Sequence, residues 1–128
     1  MSLEIEIYPP VNGNQYVVLS GRLDTHTHQQ LDDALEPLLA AAEPATVLVL
    51  DLARLEYISS AGIRSLLKAR KALSPGGKVL AVHPQAQIRK VLDMVQALPL
   101  GEIFATTAEV DAYIDKLQRE MLQGSDAD

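Results

Sequence analysis

The sequence contains no cysteine among its 128 residues. Disulfide bridges, thiolate metal sites and cysteine nucleophiles are therefore excluded. The N-terminus MSLEIEIYPP lacks the basic-then-apolar pattern of a secretion signal, and no apolar run approaches the roughly 20 residues that span a membrane. From these absences we expect a cytoplasmic protein that does not insert into a membrane.

Basic residues are also few, because 11 lysines and arginines stand against 17 acidic residues and give a formal charge of -6. This balance disfavours binding to nucleic acid, which attracts cationic surfaces. The chain is 48% hydrophobic and 22% charged, which is typical of a globular domain. We predict one domain over residues 1–122, followed by a disordered polar tail over residues 123–128.

Segments with strand and helix periods alternate along the chain. Period-two or continuous apolar patterns predict strands for LEIEIY, QYVVLSG, ATVLVLDL, KVLAV and EIFAT. Helical spacing predicts four helices, whose apolar faces carry Leu31, Ala34, Leu35, Leu38 and Leu39, then Ile63, Leu66, Leu67 and Leu73, then Ile88, Val91, Leu92 and Val95, and finally Val110, Ile114, Leu117 and Met121. The short turn PPVNGN predicts an antiparallel opening pair. The expected fold is α/β, with a mixed, mainly parallel sheet of four to five strands and about four helices.

Local signals place the ends of these helices. Thr25 or Thr27 is positioned to cap the first helix, and Asp32 and Asp33 fall early in it, where the helix dipole favours negative charge. SPGG is expected to end the second helix. Thr106 and Glu109 have the spacing of a capping box before the last helix.

Two ligand-binding patterns are incomplete. His26 and His28 are two residues apart, which places them on different faces of a helix, and His83 comes much later. SPGGK lacks the full phosphate-loop pattern and precedes a strand instead of a helix. We therefore expect no metal site and no cofactor.

Two adjacent serines, Ser59 and Ser60, stand between a strand and a helix in EYISSAGIRSLL. The position is like that of the nucleophile in G-x-S-x-G, but Ile58 replaces the first glycine. His83 is the only histidine after the serines, and no acidic residue lies between Ser60 and His83. The usual Ser, acid, His order is absent, so we expect no catalytic residue and no enzyme.

Two interpretations of the serines remain. Serine is a favoured N-cap residue, worth about 1 kcal/mol over alanine. Two serines nevertheless exceed what one cap requires. A phosphate at this point would face free backbone amides and the positive end of the helix dipole, so the fold could tolerate it while a fitted interface would not.

A basic stripe follows the serines. Arg64, Lys68 and Lys71 fall at i, i+4 and i+7 of the predicted helix in an otherwise acidic chain. The stripe is either an ordinary solvated face or part of a docking surface for an acidic partner.

The stretch VLDLARLEYISSAGIRSLL resembles the signature of STAS domains, specifically of the anti-sigma factor antagonists of bacteria. That signature is an apolar strand ending in Asp-Leu, then Asp-Ser-x-Gly-[Leu/Ile] at the start of a helix. LSGRLDTHTHQQL is similar to the second marker of the family, Gly-x-[Leu/Ile]-Asp after the second strand. The resemblance extends from Leu3 to Leu117.

The resemblance implies that Ser60 is phosphorylated by a partner that is both serine kinase and anti-sigma factor, and that a serine phosphatase removes the phosphate. Gly62 matches the glycine of the signature, and Asp24 would help form the kinase-facing surface. The implied partner-binding residues are Asp24, Ser59, Ser60, Gly62, Arg64 and Lys68.

Ser59 stands where members of this family often have aspartate, and it is a possible second phosphate acceptor. The same resemblance leaves a second function open. Small STAS proteins also serve as accessory subunits of bacterial phospholipid-transport ATPases, in which the domain clamps the ATPase.

Overall fold

The computed structural model describes residues 2–73, 76–95 and 103–126. Its elements follow in the order β1 (Leu3–Ile7), β2 (Gln15–Leu23), α1 (His28–Ala40), β3 (Val47–Ile58), α2 (Ser60–Leu73), β4 (Lys78–Val82), α3 (Ala86–Val95), β5 (Ile103–Phe104) and α4 (Thr107–Asp126). This is the order that the sequence predicts, and the α/β class is confirmed.

The five strands form one sheet in the order β1-β2-β3-β4-β5. β1 pairs antiparallel with β2, whereas every other neighbouring pair is parallel. The turn between β1 and β2 uses positive φ angles at Asn12 and Gly13, of 53° and 80°. Asparagine and glycine adopt this conformation more readily than other residues, which explains the turn signal in the sequence. The antiparallel edge is thus confirmed.

The alternation of side chains along β3 divides the core between the two faces of the sheet. Leu48 and Leu50 belong to the larger buried cluster, which also contains residues of α1, α2 and α3. Val47 and Val49 belong to the smaller cluster, which contains Val110 of α4. A parallel strand covered on both faces is expected to be apolar at every position, as this segment is.

β3 is longer than ATVLVLDL predicts and continues to Ile58. Leu52, Leu55 and Ile58 are all buried although they are three residues apart. Strict alternation would send such residues to opposite faces. The pairing with β2 shifts register twice along this stretch, and the extra residues let all three side chains reach the core.

Some local predictions are wrong or incomplete. Thr27 precedes α1, but its hydroxyl does not cap the helix, and the first turn of α1 contains no acidic residue, so Asp32 and Asp33 lie beyond it. Leu67 is 40% exposed and does not join the buried face of α2. At the start of α4, the backbone N–H of Glu109 donates to Thr106 Oγ1 at 3.2 Å, as the capping box predicts.

Other predictions fall partly on residues outside the described ones. These are Ser74 and Pro75 of the turn SPGG, and the side chains of Val95, Leu117 and Met121. α4 extends to Asp126, past the domain boundary predicted at residue 122.

Candidate functional site: the surface around Ser60

The start of α2 gives the two serines different surroundings. Ser59 precedes the helix, and its Oγ accepts a long hydrogen bond of 3.4 Å from the backbone N–H of Gly62. Its carbonyl accepts the first helical bond, 2.9 Å from the N–H of Ile63. Ser60 is the first residue of α2 and is exposed. Ser59 is therefore the capping residue, and Ser60 presents its hydroxyl to solvent.

The backbone at this point is held against the end of β2. The N–H of Ser59 donates to the carbonyl of Leu23 at 2.9 Å. A Cβ atom added at Gly62 would lie 2.7 Å from Leu23 Cγ and 2.9 Å from Ile58 Cγ1, which is closer than carbon atoms can approach. Glycine at position 62 thus lets α2 begin directly against two strand ends.

Asp24 lies in the loop that follows β2 at the same edge of the sheet. Its Oδ1 accepts a hydrogen bond of 2.9 Å from the backbone N–H of His26. Its own backbone N–H donates to Thr27 Oγ1 at 2.9 Å, and the Thr27 hydroxyl donates to the carbonyl of Arg22 at 2.8 Å. The pKa of the Asp24 carboxyl is lowered, mainly because the backbone N–H of His26 donates a hydrogen bond to it.

These contacts give Asp24 a role within its own loop. Its side chain is only 14% exposed, and its Oδ2 lies 3.8 Å from Nε of Arg22. The backbone carbonyl of Leu23, the preceding residue, accepts the hydrogen bond from the N–H of Ser59. The carboxylate thus orders a loop that adjoins Ser60.

The basic stripe starts beside Ser60. Arg64, Lys68 and Lys71 are all exposed, as is Leu67 between them. Residues three and four apart are neighbours on a helix surface, so Ser60, Arg64 and Leu67 form one continuous face. The structure therefore brings together Ser60 and the stripe, with Leu67, an apolar residue for which the sequence pattern predicts a core position.

The histidines were considered above as metal ligands, and one of them lies near a carboxylate. Nδ1 of His83 lies 3.6 Å from Oδ1 of Asp51, beyond the end of β4. Within residues 2–73, 76–95 and 103–126, no group of three His, Asp or Glu side chains is placed to hold a metal ion. No helix in these ranges is long and apolar enough to cross a membrane.

Comparison with known families decides what kind of domain this is. The family model described as "Mlab, STAS domain" matches residues 12–104, which is most of the chain. The chain belongs to the STAS domain family. A comparison with curated protein sequences finds no match.

Solved structures with this STAS fold come from proteins of different kinds. SpoIIAA, the Bacillus cell fate determinant, in its phosphorylated form has a TM-score of 0.67 at 20% identity, covering 87% of this chain and 99% of its own. An anti-sigma factor antagonist from Mycobacterium paratuberculosis has a TM-score of 0.72 at 22% identity, covering 87% and 93%. The murine anion transporter Slc26a9 has a TM-score of 0.70 at 15% identity, covering 84% of this chain and 18% of its own.

A cation–π pair on the STAS surface does not follow from the sequence patterns. The guanidinium carbon of Arg22 lies 4.1 Å from the centre of the Tyr57 ring, in a cation–π contact. Tyr57 is 41% exposed. The two residues are paired only after the second register shift between β2 and β3, so a regular strand alignment would not bring them together.

Proposed function

We propose that this STAS protein is an anti-sigma factor antagonist, whose binding to an anti-sigma factor serine kinase is controlled by phosphorylation of Ser60. The observation that carries the proposal is the division of roles at the start of α2: Ser59 caps the helix, and Ser60 is free to face a partner. The fold that it shares with the antagonist from Mycobacterium paratuberculosis and with phosphorylated SpoIIAA supports it. The protein acts in the cytoplasm by binding and not by catalysis.

The chemistry of the surface explains how a phosphate would change binding. A phosphoserine adds a charge of about -1.5 to -2. Arg64 lies four residues after Ser60, within reach of such a charge on a helix surface. The phosphate would pair with the Arg64 guanidinium, which would then no longer be available to an acidic partner. It would also add bulk at the centre of the interface. A serine phosphatase acting on Ser60 restores the binding surface.

The fold tolerates the same phosphate. Ser60 is exposed, and the first N–H groups of a helix, at the positive end of its dipole, favour an anion. Phosphorylation therefore changes affinity for the partner while the domain stays folded.

The test uses the cognate kinase with Ser60→Asp, Ser60→Ala and the matched control Ser59→Ala. We expect Ser60→Asp to weaken binding by about tenfold or more, because it places a negative charge in the interface. Ser60→Ala should bind like the wild type but resist phosphorylation. Ser60→Asp and wild type with equal affinity for the kinase, measured by calorimetry, would rule the proposal out.

A second candidate is an accessory subunit of a bacterial phospholipid-transport ATPase. The family model that matches is described as Mlab, and the same fold forms part of a transporter, Slc26a9. In this case Ser60, Leu67 and the cations would be a permanent contact surface. A neighbouring gene for a lipid-transport permease favours this candidate, whereas a neighbouring sigma-regulator kinase or phosphatase favours the first.

A further inference from the structure

Two neighbouring helices, α1 and α2, carry opposite charge. α1 contains no lysine or arginine, and its three carboxylates, those of Asp32, Asp33 and Glu36, form the acidic face of α1. α2 contains four lysines and arginines and no acidic residue. Residues of both helices line one groove of about 510 Å³. The acidic face of α1 therefore lies next to the basic stripe of α2.

The charges of the two helices do not pair with one another inside the chain. Among the described residues, no carboxylate lies within ion-pair distance of the basic stripe. Asp33 accepts a hydrogen bond of 2.9 Å from the neutral side-chain amide of Gln29, and Glu36 has no ion-pair partner in the same part of the chain. Both sets of charges are therefore available to a group from outside.

Four of these charged residues are exposed and lie close to the same level along the two helices. They are Asp33 and Glu36 on α1, and Arg64 and Lys68 on α2. Residues three or four apart are neighbours on a helix surface, so each pair forms a short row along its own helix. Asp33, Glu36 and Lys68 all line the groove, which places the acidic row and the basic row on opposite sides of it.

Such a pair of rows is complementary to itself under one two-fold arrangement. α1 follows β2 and α2 follows β3, and these two strands are parallel, so the helices begin at the same edge of the sheet and run in the same direction. A two-fold axis along the groove places α1 of each copy against α2 of the other. An axis across the groove would place α1 against α1 and α2 against α2, which like charges disfavour. The first arrangement brings opposite charges together at both contacts.

We propose that the face formed by α1 and α2 binds a second copy of this chain in a two-fold dimer. Asp33 and Glu36 of each copy pair with Arg64 and Lys68 of the other. This proposal goes beyond the function of Ser60 and does not depend on phosphorylation. Because Arg64 and Lys68 also belong to the surface around Ser60, the dimer would compete with a kinase that binds there.

The size of this face indicates a weak and reversible dimer. The exposed Ala40 and Ala72 line the groove and are small enough for helices of two copies to approach, but they bury little apolar surface. We therefore expect a dissociation constant of roughly 10–100 µM, measured by sedimentation equilibrium of the full chain. The mass should approach that of two chains and rise no further, because a two-fold contact is closed. Raising the salt from about 0.05 to 0.5 M should weaken the dimer several-fold through screening.

Charge reversal on each helix tests which faces meet. The first variant, Asp33→Lys with Glu36→Lys, places cations in both rows, and the second variant, Arg64→Glu with Lys68→Glu, places carboxylates in both. Each variant alone should be a monomer, because like charges then meet at both contacts. A mixture of the two should form a heterodimer, since α1 of each variant then faces an α2 row of opposite charge.

The matched control for the first variant is Glu4→Lys with Glu56→Lys, which makes the same change of net charge at exposed positions away from the groove. It should dimerise like the wild type and form no heterodimer with the second variant. Circular dichroism verifies that each variant is folded. A wild type that stays monomeric at every concentration, a mixture without heterodimer, or equal effects of the first variant and its control would overturn the proposal. None of these measurements uses a kinase, so they leave the function proposed for Ser60 to its own test.

Discussion

Ser59 and Ser60 are chemically identical, yet the first turn of α2 gives their hydroxyls different surroundings. Ser59 Oγ accepts a hydrogen bond from the N–H of Gly62, and Ser60 faces solvent. Aspartate, which the STAS signature often has at the position of Ser59, is also a favoured N-cap residue. The substitution of serine for aspartate thus preserves the capping role and leaves Ser60 as the accessible hydroxyl.

This division predicts unequal losses of stability. Ser59→Ala should lower the free energy of unfolding by about 0.5–1 kcal/mol, because the capping bond is long and partly exposed. Ser60→Ala should change it by less than about 0.5 kcal/mol, as is usual for an exposed position. Urea unfolding of both variants measures the difference. A larger loss for Ser60→Ala would show that the capping assignment is wrong.

The surroundings of the Asp24 carboxyl predict how the stability of the fold changes with pH. The bond from the His26 N–H lowers the pKa of Asp24 below its usual value of 3.8, so the folded chain favours the ionised carboxylate. The stabilisation is complete above the unfolded pKa and is lost as the pH falls through the lower folded value.

The corresponding variant is Asp24→Asn, which keeps a hydrogen-bond acceptor but removes the charge. It should be less stable than the wild type at about pH 7, and the difference should shrink as the pH is lowered through and below the usual carboxyl range. Urea midpoints over this range provide the measurement. A difference that is constant with pH would contradict the role of the carboxylate.

The junction between β3 and α2 places Ser60 with little freedom. The Ser59 N–H is bonded to the carbonyl of Leu23, and Gly62 lies against the side chains of Leu23 and Ile58. The helix cannot move away without losing the cap or the core contacts. Ser60, the proposed phosphate acceptor, is therefore held by elements of the fold and not by a flexible loop.

Gly62→Ala tests this close approach. The added methyl group would overlap the two side chains, and moving them should cost about 1–3 kcal/mol of unfolding free energy. The control is the reverse substitution, Ala72→Gly, at an exposed position in the same helix. It should lower the free energy of unfolding by about 1 kcal/mol through helix propensity alone. Full stability of Gly62→Ala would mean that α2 begins farther from the strands.

At the scale of the whole molecule, the spacing of hydrophobic residues determines which features of the fold the sequence can predict. The order of the elements in the described residues follows from apolar spacing, because each pattern reflects which face is buried. The spacing of Leu67 fits a helical stripe and predicts a core position, yet α2 leaves it 40% exposed. Spacing alone does not say how wide the buried stripe of a helix is.

Features that depend on long-range packing could not be predicted in this way. The continuation of β3 to Ile58 and the contact of Arg22 with Tyr57 both depend on register shifts against β2, which break the period of two. Ser60 can be predicted as a candidate from the sequence because its motif is local, whereas the exposed Leu67 beside it cannot.

Phosphate mapping tests the central proposal most directly. The protein is isolated from its own cells, with and without phosphatase treatment, and analysed by intact mass and by site mapping, with Ser59→Ala and Ser60→Ala analysed alongside. The proposal predicts one phosphate on Ser60, present in Ser59→Ala and absent from Ser60→Ala. A phosphate on Ser59 that persists in Ser60→Ala, or no phosphate under any growth condition, would contradict it.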